Sequence, residues 1–382
     1  MLPHEGKGLN LLIYPSSLLS SGRLGKISKS LQSSGMFSET HIVGVGSGDG
    51  APSAPLSPGV RTVRVPGPEL REFLGAIRLM LFWPFRVYLR YRKQNIAAVA
   101  AQNVYLLPLA YHLARSTGAV MAYNAHELET ETIGAKGVKQ KIAKFIERRY
   151  IGKADIVSVV NEPIADWYSN HYPGLRPVVL TNTPVDNGES VNLRAQLGIP
   201  EGELLYIHVG FLMGGRSIPL LIEAFSATPR AHIAFLGDGY LRPEVERAAE
   251  KHSNIHLLPL VEPEAVVSVV RGADAGLCLI EPVSLSDSLS TPNKLMECLA
   301  AGIPPLCSDI LEARKRLGAE LSKTWILESP AEELTAALQR IGPEQIAEFT
   351  ASWKGIPTWD SQAVGLVEAY RAALANRRSE TI

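Results

Sequence analysis

A short segment in the second half of the chain joins a loop rich in hydroxyl side chains to a helix that starts with a cation. It reads Ser-Leu-Ser-Thr-Pro-Asn-Lys-Leu-Met-Glu over residues 288–297. Thr291 can cap this helix, Pro292 suits its first position, and Gly302 followed by Pro304 ends it. Free N–H groups at a helix N-terminus attract anions, and a first-turn lysine adds a full positive charge. The segment therefore predicts a phosphate-binding site.

Two side chains of that helix lie on one face because they are three residues apart, namely Lys294 and Glu297. In one interpretation Lys294 binds a phosphate and Glu297 accepts hydrogen bonds from ribose hydroxyls. The alternative is an ordinary surface ion pair, which does no chemistry.

The first half of the chain has two further candidates. His126 follows a predicted strand and stands beside Glu127 and Glu129, where it can orient a ligand, although a structural histidine is the alternative. Near the N-terminus a strand, a loop of small residues and a helix follow one another. Gly22 in that loop lets a ligand approach the backbone, with Gly25 as the rival position and a plain turn as the alternative.

The elements that must position these residues recur as short Val, Ile and Leu runs, each followed by helical periodicity. That alternation predicts parallel sheets with crossover helices. We therefore expect an α/β protein of two doubly wound, Rossmann-like domains facing across a cleft, with ligands at the carboxyl ends of the strands. The predicted strands are 9–14, 41–45, 61–65, 96–100, 119–124, 156–160 and 178–180, then 204–209, 231–236, 255–258, 275–279, 305–308 and 325–327.

The domain boundary is expected in a segment dense in turn residues, 183–190. This gives an N-terminal domain over 1–183 and a C-terminal domain over 184–359. A last helix, about 360–376, is expected to pack back on the first domain, and the residues from 376 to 380 are expected to be a frayed tail.

Composition fits this organisation. With 382 residues, 46% of them hydrophobic and 20% charged, the chain is long enough for two globular domains and is neither disordered nor collagen-like. Three cysteines without a Cys-x-x-Cys pair exclude a disulfide framework and a cysteine-rich zinc site. We expect no metal site, no secretion signal and no membrane span, and a cytoplasmic location.

The zero net charge hides opposite halves. Residues 1–180 hold 21 Lys and Arg against 12 Asp and Glu, whereas residues 181–382 hold 17 against 26. Such asymmetry indicates that the first half meets an anionic partner such as a membrane surface, a phosphorylated substrate or nucleic acid. Attraction between the two domains is the alternative.

One basic stretch, residues 69–93, interleaves aromatic and aliphatic residues with five arginines. This composition is typical of an interfacial helix on anionic lipid, which would place the protein peripherally at the inner face of the membrane. The alternative is a buried crossover helix kinked near Pro84. No RNA-binding signature accompanies the arginines, so no nucleic-acid partner is expected.

Several segments together resemble the donor domain of glycosyltransferase family 4 (group 1), the retaining transferases of the GT-B fold. They are Leu-Gly-Asp-Gly at 236–239, Ala-Asp-Ala-Gly-Leu at 273–277 and the block from Pro292 to Pro304. Val209-Gly210 and Gly-Arg-Ser-Ile at 215–218 support the resemblance upstream, as does the stretch around His126 in the first half.

The resemblance implies a metal-independent hexosyltransferase that uses a nucleotide-diphosphate sugar, a UDP- or GDP-sugar. Its acceptor would be a saccharide or lipid-linked molecule in cell-surface polysaccharide or glycolipid synthesis. Arg216 and Lys294 would hold the donor diphosphate, Glu297 the ribose, and the backbone near Val261 the base. His126 would orient the transferred sugar during front-face attack. The implied catalytic residues are His126, Arg216 and Lys294, and the implied donor-binding residues are Gly22, Gly210, Gly237, Val261, Ser290, Thr291, Asn293 and Glu297.

Two departures from the family pattern concern this site. Leu289 stands where many relatives carry a glutamate that contacts the donor sugar, and Phe211 stands where many carry an arginine. Lys294 can replace the arginine, and Glu281 or Asp287 can supply a carboxylate unless they are ordinary solvated charges. Two alternative functions follow: a noncatalytic nucleotide-sugar-binding subunit, and a GT-B nucleotide-sugar epimerase or hydrolase.

Overall fold

The computed structural model describes residues 7–16, 22–46, 52–67, 73–281 and 283–379, with backbone alone for 52–55 and 73–81. The chain divides into two compact units. Unit 1 comprises Met1–Thr181 and Asp360–Ile382, and unit 2 comprises Asn182–Trp359. Of the residues singled out above, 17–21 and 68–72 lie outside the described part.

Unit 1 is built on an eight-stranded sheet in the order β3-β4-β2-β1-β5-β6-β7-β8. Every pairing is parallel except that of β3 with β4, which is antiparallel. The strands are β1 Leu9–Ile13, β2 Thr40–Gly46, β3 Pro52–Ser57, β4 Val60–Pro66, β5 Ile96–Ala101, β6 Val120–Asn124, β7 Ile156–Val159 and β8 Val178–Val179.

Crossover helices link the strands of unit 1. In α1 the apolar residues Leu24, Ile27 and Leu31 lie on one face, and all three are buried. Helix α2, the crossover from β4 to β5, contains Pro84 in its interior, and Trp83 on its inner face is fully buried. The helices are α1 Gly22–Ser33, α2 Phe73–Tyr91, α3 Leu107–Thr117, α4 Val138–Tyr150 and α5 Glu162–His171.

The C-terminal helix, Trp359–Ser379, is part of unit 1 from Asp360 onward, where the sequence predicts a helix that packs back on the first domain. Tyr370 is fully buried and meets the Phe37 ring edge-on at 6.1 Å, and Arg377 donates to both Asp155 carboxylate oxygens at 3.1 Å. The prediction of a frayed tail from residue 376 is therefore wrong up to Ser379, because this ion pair holds the last turn.

Unit 2 holds a six-stranded, all-parallel sheet in the order β11-β10-β9-β12-β13-β14. Its strands are mostly apolar because helices cover both faces. The strands are β9 Leu204–Val209, β10 Ala231–Leu236, β11 Ile255–Leu257, β12 Ala275–Cys278, β13 Pro305–Ser308 and β14 Ile326–Leu327. The helices are α6 Leu193–Leu197, α7 Ile218–Ser226, α8 Arg242–Lys251, α9 Val266–Val270, α10 Leu285–Leu289, α11 Asn293–Ala301, α12 Leu311–Trp325, α13 Pro330–Arg340 and α14 Pro343–Ser352.

Close packing holds α11 against the sheet. A side-chain carbon added to Gly276 of β12 would lie 2.0 Å from the Cys298 sulfur of α11, so only glycine fits there. Leu295 and Leu299 of α11 are buried in the core of unit 2. The helix that carries Lys294 is therefore fixed against β12, and its N-terminal turn has a defined position.

Candidate functional site

Helix α11 begins one residue later than the sequence predicts. Pro292 is extended and occupies the N-cap position, and Asn293 is the first helical residue. The prediction that Thr291 caps the helix and that Pro292 is its first residue is wrong, because the proline lies just outside the helix. Since proline has no side-chain oxygen, no side chain at the cap bonds the first-turn N–H groups. These groups are suited to an anion. Gly302 ends the helix in the left-handed conformation, as predicted.

Lys294 is buried at this helix end, with 8% of its surface exposed. Among the residues that the structure describes, its Nζ atom has no hydrogen-bond partner. Burial, together with the positive charge of Arg216, lowers the pKa of Lys294 to about 8, while Glu297 acts in the opposite direction. A buried cation without a partner is costly, so the surface ion pair considered above does not describe Lys294. The arrangement fits an anionic ligand that supplies the missing partner.

Tight backbone packing shapes the loops that follow β9 and β10. A side-chain carbon on Gly237 would lie 1.9 Å from the carbonyl oxygen of Gly210, and one on Gly239 would lie 2.3 Å from that of Leu212. Gly210 has φ of 110°, which also requires glycine. These glycines bring the two loops together at the carboxyl edge of the sheet.

The loop before α7 carries Arg216 and a strained residue. Ser217 has φ of 55°, the one left-handed conformation of a non-glycine residue in the described part of the chain. The Ser217 hydroxyl donates to Glu281 at 3.5 Å, which brings Glu281 beside the Arg216 segment. Asp287 has a different role, since it accepts from the Ser284 hydroxyl at 2.6 Å at the start of α10. Of the two carboxylates considered, Glu281 is the better placed.

His208 is a residue that sequence reasoning missed. It is the fifth residue of β9, fully buried, and neither ring nitrogen has a hydrogen-bond partner. Burial and the positive charges of Lys294 and Arg216 hold its pKa well below the usual value, so the ring is neutral. Because the charges of Lys294 and Arg216 both lower the pKa of His208, the two cations lie near the same ring in unit 2. No sequence signal marked His208, because a histidine in an apolar strand is ordinarily structural.

Apolar side chains surround this edge of the sheet of unit 2. Phe211 is 73% exposed, and Met213, Tyr240, Leu260 and Val261 are also exposed on the segments that follow β9, β10 and β11. The Tyr240 hydroxyl accepts a hydrogen bond from the Gly214 N–H at 2.6 Å, which holds its ring over that loop. Exposed apolar groups around a few polar ones are typical of ligand sites.

The remaining predicted donor residues lie around the start of α11. Ser290 donates through its hydroxyl to the Asp287 carbonyl at 2.8 Å, and the Asn293 side chain accepts from Asn182 at 3.0 Å. Thr291 and Glu297 are partly exposed. Ser290 and Asn293 thus brace the loop, and their side chains are engaged with protein groups.

A second polar group lies at the carboxyl edge of the sheet of unit 1. His126 Nε2 is 3.0 Å from Gln102 Oε1, and its ring centre is 6.2 Å from that of Tyr14. Burial and the nearby charge of Arg23 lower the pKa of His126 to about 3, so the ring is neutral at pH 7. In this arrangement Nε2 donates to Gln102, which leaves Nδ1 as an acceptor.

Arg23 was missed by the sequence analysis. It directly follows Gly22, which starts α1 with φ of 63°, and it is buried. Its guanidinium donates to the carbonyls of Leu180 and Val159, its Nε has no partner, and burial lowers its pKa to about 9. An arginine in the first turn after a small-residue loop was the available signal. Gly25, the rival to Gly22, is buried within α1.

Two buried carboxyl groups of unit 1 have hydrogen-bond partners. Glu129 accepts from the Val104 N–H at 2.7 Å, and Glu147 accepts from Tyr168 and Tyr172 at 2.8 and 2.9 Å. Burial raises the pKa of both carboxyl groups. By contrast Gln102 Nε2 and Asn124 Nδ2, near the ends of β5 and β6, are buried without hydrogen-bond partners among the described residues.

No group of His, Cys, Asp and Glu side chains within the described ranges has the arrangement of a metal site. Likewise, none of the helices seen in those ranges has the length and apolarity needed to cross a bilayer.

Comparison with solved structures defines the fold. Sucrose-phosphate synthase from Thermosynechococcus elongatus superimposes with a TM-score of 0.72 at 15% identity, covering 97% of this chain and 100% of that one. HepE from Anabaena in complex with UDP-glucose gives 0.63 at 12% identity, covering 98% and 100%. The catalytic domain of starch synthase IV from Arabidopsis thaliana, bound to ADP and acarbose, gives 0.65 at 12% identity, covering 97% and 100%. The fold is therefore the GT-B fold of two Rossmann-like domains, as predicted.

A family match covers part of the first half of the chain. Residues 23–183 match the family described as glycosyl transferase 4-like domain. A search of curated proteins found no match. The chain thus carries a glycosyl transferase 4-like domain over these residues and has the GT-B fold, in agreement with the predicted resemblance. The match covers the half in which the sequence motifs were weakest.

Proposed function

We propose that this protein is a retaining glycosyltransferase that moves a sugar from a nucleotide-diphosphate sugar to a saccharide or lipid-linked acceptor. The pathway we propose is cell-surface polysaccharide or glycolipid synthesis at the cytoplasmic face of a membrane. A UDP- or GDP-sugar is the proposed donor; similar structures hold UDP-glucose or ADP.

One observation carries the donor assignment: the unpartnered, buried Nζ of Lys294 at an uncapped helix N-terminus. As the bond to the sugar breaks, negative charge grows on the departing diphosphate. Lys294, Arg216 and the first-turn N–H groups of α11 stabilise that charge through fixed, desolvated positive groups. Glu297 takes the ribose hydroxyls, and the exposed apolar residues beside them, Val261 among these, contact the base.

The edge of unit 1 is proposed to bind neutral hydroxyl groups of the transferred sugar and the acceptor. His126 is neutral and presents Nδ1 as an acceptor, while the unpartnered amide groups of Gln102 and Asn124 supply donors. These groups suit sugar hydroxyls, which both donate and accept. Gly22 leaves room at the start of α1, because no atom of the described residues other than its chain neighbours lies within 4 Å of the position its side-chain carbon would take.

The direct test is a transfer assay with a panel of UDP- and GDP-sugars. Release of nucleoside diphosphate is measured with and without saccharide acceptors or an extract of lipid-linked sugars. Release that requires an acceptor, with the anomeric configuration retained in the product, supports the proposal. Release or rearrangement of sugar without an acceptor would instead assign a hydrolase or an epimerase.

A noncatalytic subunit is the second candidate, because Phe211 and Leu289 replace the arginine and glutamate of the family pattern. Restoring Phe211→Arg and Leu289→Glu in one variant separates the two candidates. A noncatalytic subunit binds nucleotide without turnover, and turnover appears only in the restored variant. A working transferase shows turnover in the wild-type chain.

A further inference from the structure

Helix α4 of unit 1 has a row of large apolar side chains on its solvent side. Val138 is 72% exposed, Phe145 is 68% exposed, and Ile142 between them is about half exposed. Their i, i+4 and i+7 spacing places them in one stripe along the helix. A water-facing stripe of this kind is unusual for a helix of a globular domain, whose apolar face normally packs inward.

Basic residues flank this stripe. Lys139, Lys141, Arg148 and Arg149 are exposed on the same side of α4. The one acidic residue of the helix, Glu147, is buried and accepts hydrogen bonds from two tyrosines. The outer side of α4 is therefore apolar along its centre and positive along its margins.

Helix α2 repeats the pattern. Phe82, Phe85 and Leu89 are exposed, and Arg86 lies among them with its guanidinium on the Pro66 carbonyl at 2.9 Å. The inner side of the same helix is anchored by Trp83, whose indole N–H donates to the Val65 carbonyl at 3.2 Å. The outer stripe is thus presented by a helix that is itself well packed.

Both helices belong to one face of unit 1. Helix α3 packs against α2 and against α4, and it exposes His112 and Arg115 but no acidic residue. Within the described part of unit 1, large exposed apolar side chains lie on α2, on α4 and at Ile133 just before α4, with Val364 as the one exception. Apolar exposure is therefore concentrated on this face, which we call the α2–α4 face.

We infer that the α2–α4 face docks on an anionic lipid surface, with Val138, Ile142 and Phe145 entering the boundary between headgroups and acyl chains. Such a surface is both negative and apolar, and it matches each component of the face. A second copy of the chain would bring like charges together, which opposes self-association. This inference rests on the membrane location proposed above. It extends the predicted lipid contact from α2 to α4.

The test uses the full chain and sedimentation with vesicles of phosphatidylcholine alone or mixed with phosphatidylglycerol. Ile142→Gln combined with Phe145→Gln removes the centre of the stripe while keeping residues that favour a helix. Val364→Gln is the matched control, because Val364 is about half exposed on a helix away from the α2–α4 face. Nucleotide binding, measured by calorimetry, reports on the donor site separately.

We expect the wild-type chain and the Val364→Gln variant to bind the anionic vesicles and not the neutral ones. The double variant should bind anionic vesicles at least about tenfold more weakly, since two apolar side chains no longer enter the bilayer. Unchanged vesicle binding by the double variant overturns the inference, as does no binding by the wild type or dimerisation through this face. Loss of nucleotide binding alone would contradict the donor assignment and leave the docking surface standing.

Discussion

The carboxyl edges of the two sheets differ in how their buried cations are partnered. In unit 2 the buried Nζ atom of Lys294 has no hydrogen-bond partner among the described residues, and the positive charge of Arg216 lies nearby. In unit 1 the buried cation is Arg23, which already donates to two backbone carbonyls and lies near the neutral ring of His126 and neutral amide groups that lack partners. An unsatisfied cation suits a diphosphate, whereas neutral amides and a neutral ring suit sugar hydroxyls. We therefore propose that the two units divide donor and sugar recognition between them.

The largest expected effect comes from removing the cation. Lys294→Ala should lower turnover by about a hundredfold, roughly 2.7 kcal/mol of activation free energy, because the charge on the departing diphosphate loses a buried partner. Steady-state kinetics measure this. Lys251→Ala, at an exposed lysine in α8, is the control and should behave as wild type. Normal turnover in a folded Lys294→Ala protein would remove Lys294 from the mechanism.

A substitution at Lys294 that lowers turnover should raise the stability of the folded protein. Lys294→Met should raise the free energy of unfolding by roughly 2–3 kcal/mol in the absence of ligand, since it removes a buried charge whose pKa the fold depresses. Urea unfolding measures it. Tyr168→Phe removes a hydrogen bond that is satisfied, to Glu147, and should lower stability by about 1 kcal/mol. A destabilised Lys294→Met protein would show that Lys294 serves the fold.

In unit 1 the expected effect falls on turnover alone. His126→Ala should lower turnover by about tenfold while leaving nucleotide affinity unchanged, because we propose that the ring contacts the sugar and not the diphosphate. Kinetics and calorimetry on the same preparation test both halves of the prediction. His171→Ala, at an exposed histidine of α5, is the control. Weaker nucleotide binding in His126→Ala would break the proposed division between the units.

The pH dependence of nucleotide affinity gives the smallest effect. Without ligand the pKa of Lys294 is about 8. A bound diphosphate should raise this pKa, because a nearby negative charge favours the protonated lysine. Below that pH the lysine is already charged, so affinity is at its maximum. Above it each binding event takes up a proton, and affinity falls by up to about tenfold per pH unit. Calorimetry across this range should show the fall in wild type and its absence in Lys294→Arg, which stays charged. A flat wild-type profile would contradict the role of Lys294.

Much of the fold could be predicted from the sequence, because buried parallel strands are continuous apolar runs. The missed element is β3, which contains Pro52 and Pro55. A strand with prolines resembles a turn in sequence, and β3 is tolerated because it lies at the sheet edge and pairs with β4 alone. The helix start at Pro292 was placed one residue too early for a related reason, since proline fits both the cap and the first turn.

The candidate site was predictable in residue type but not in burial. The sequence marked Lys294 and His126, yet it could not show that Lys294 Nζ lacks a partner or that Arg23 is buried beside His126. The outer stripe of α4 was missed because its lysines and arginines conceal the apolar spacing. Which side of a helix packs inward depends on contacts with other elements, and those lie far apart in sequence.

The most direct test of the central claim is a calorimetric titration of the wild-type chain and of Lys294→Met with UDP and GDP. The account predicts that wild type binds one of these nucleotides and that the variant binds it far more weakly while being the more stable protein. Equal affinity in the two proteins, or binding of neither nucleotide at millimolar concentration to the wild type, would contradict the assignment of the α11 N-terminus as the donor diphosphate site.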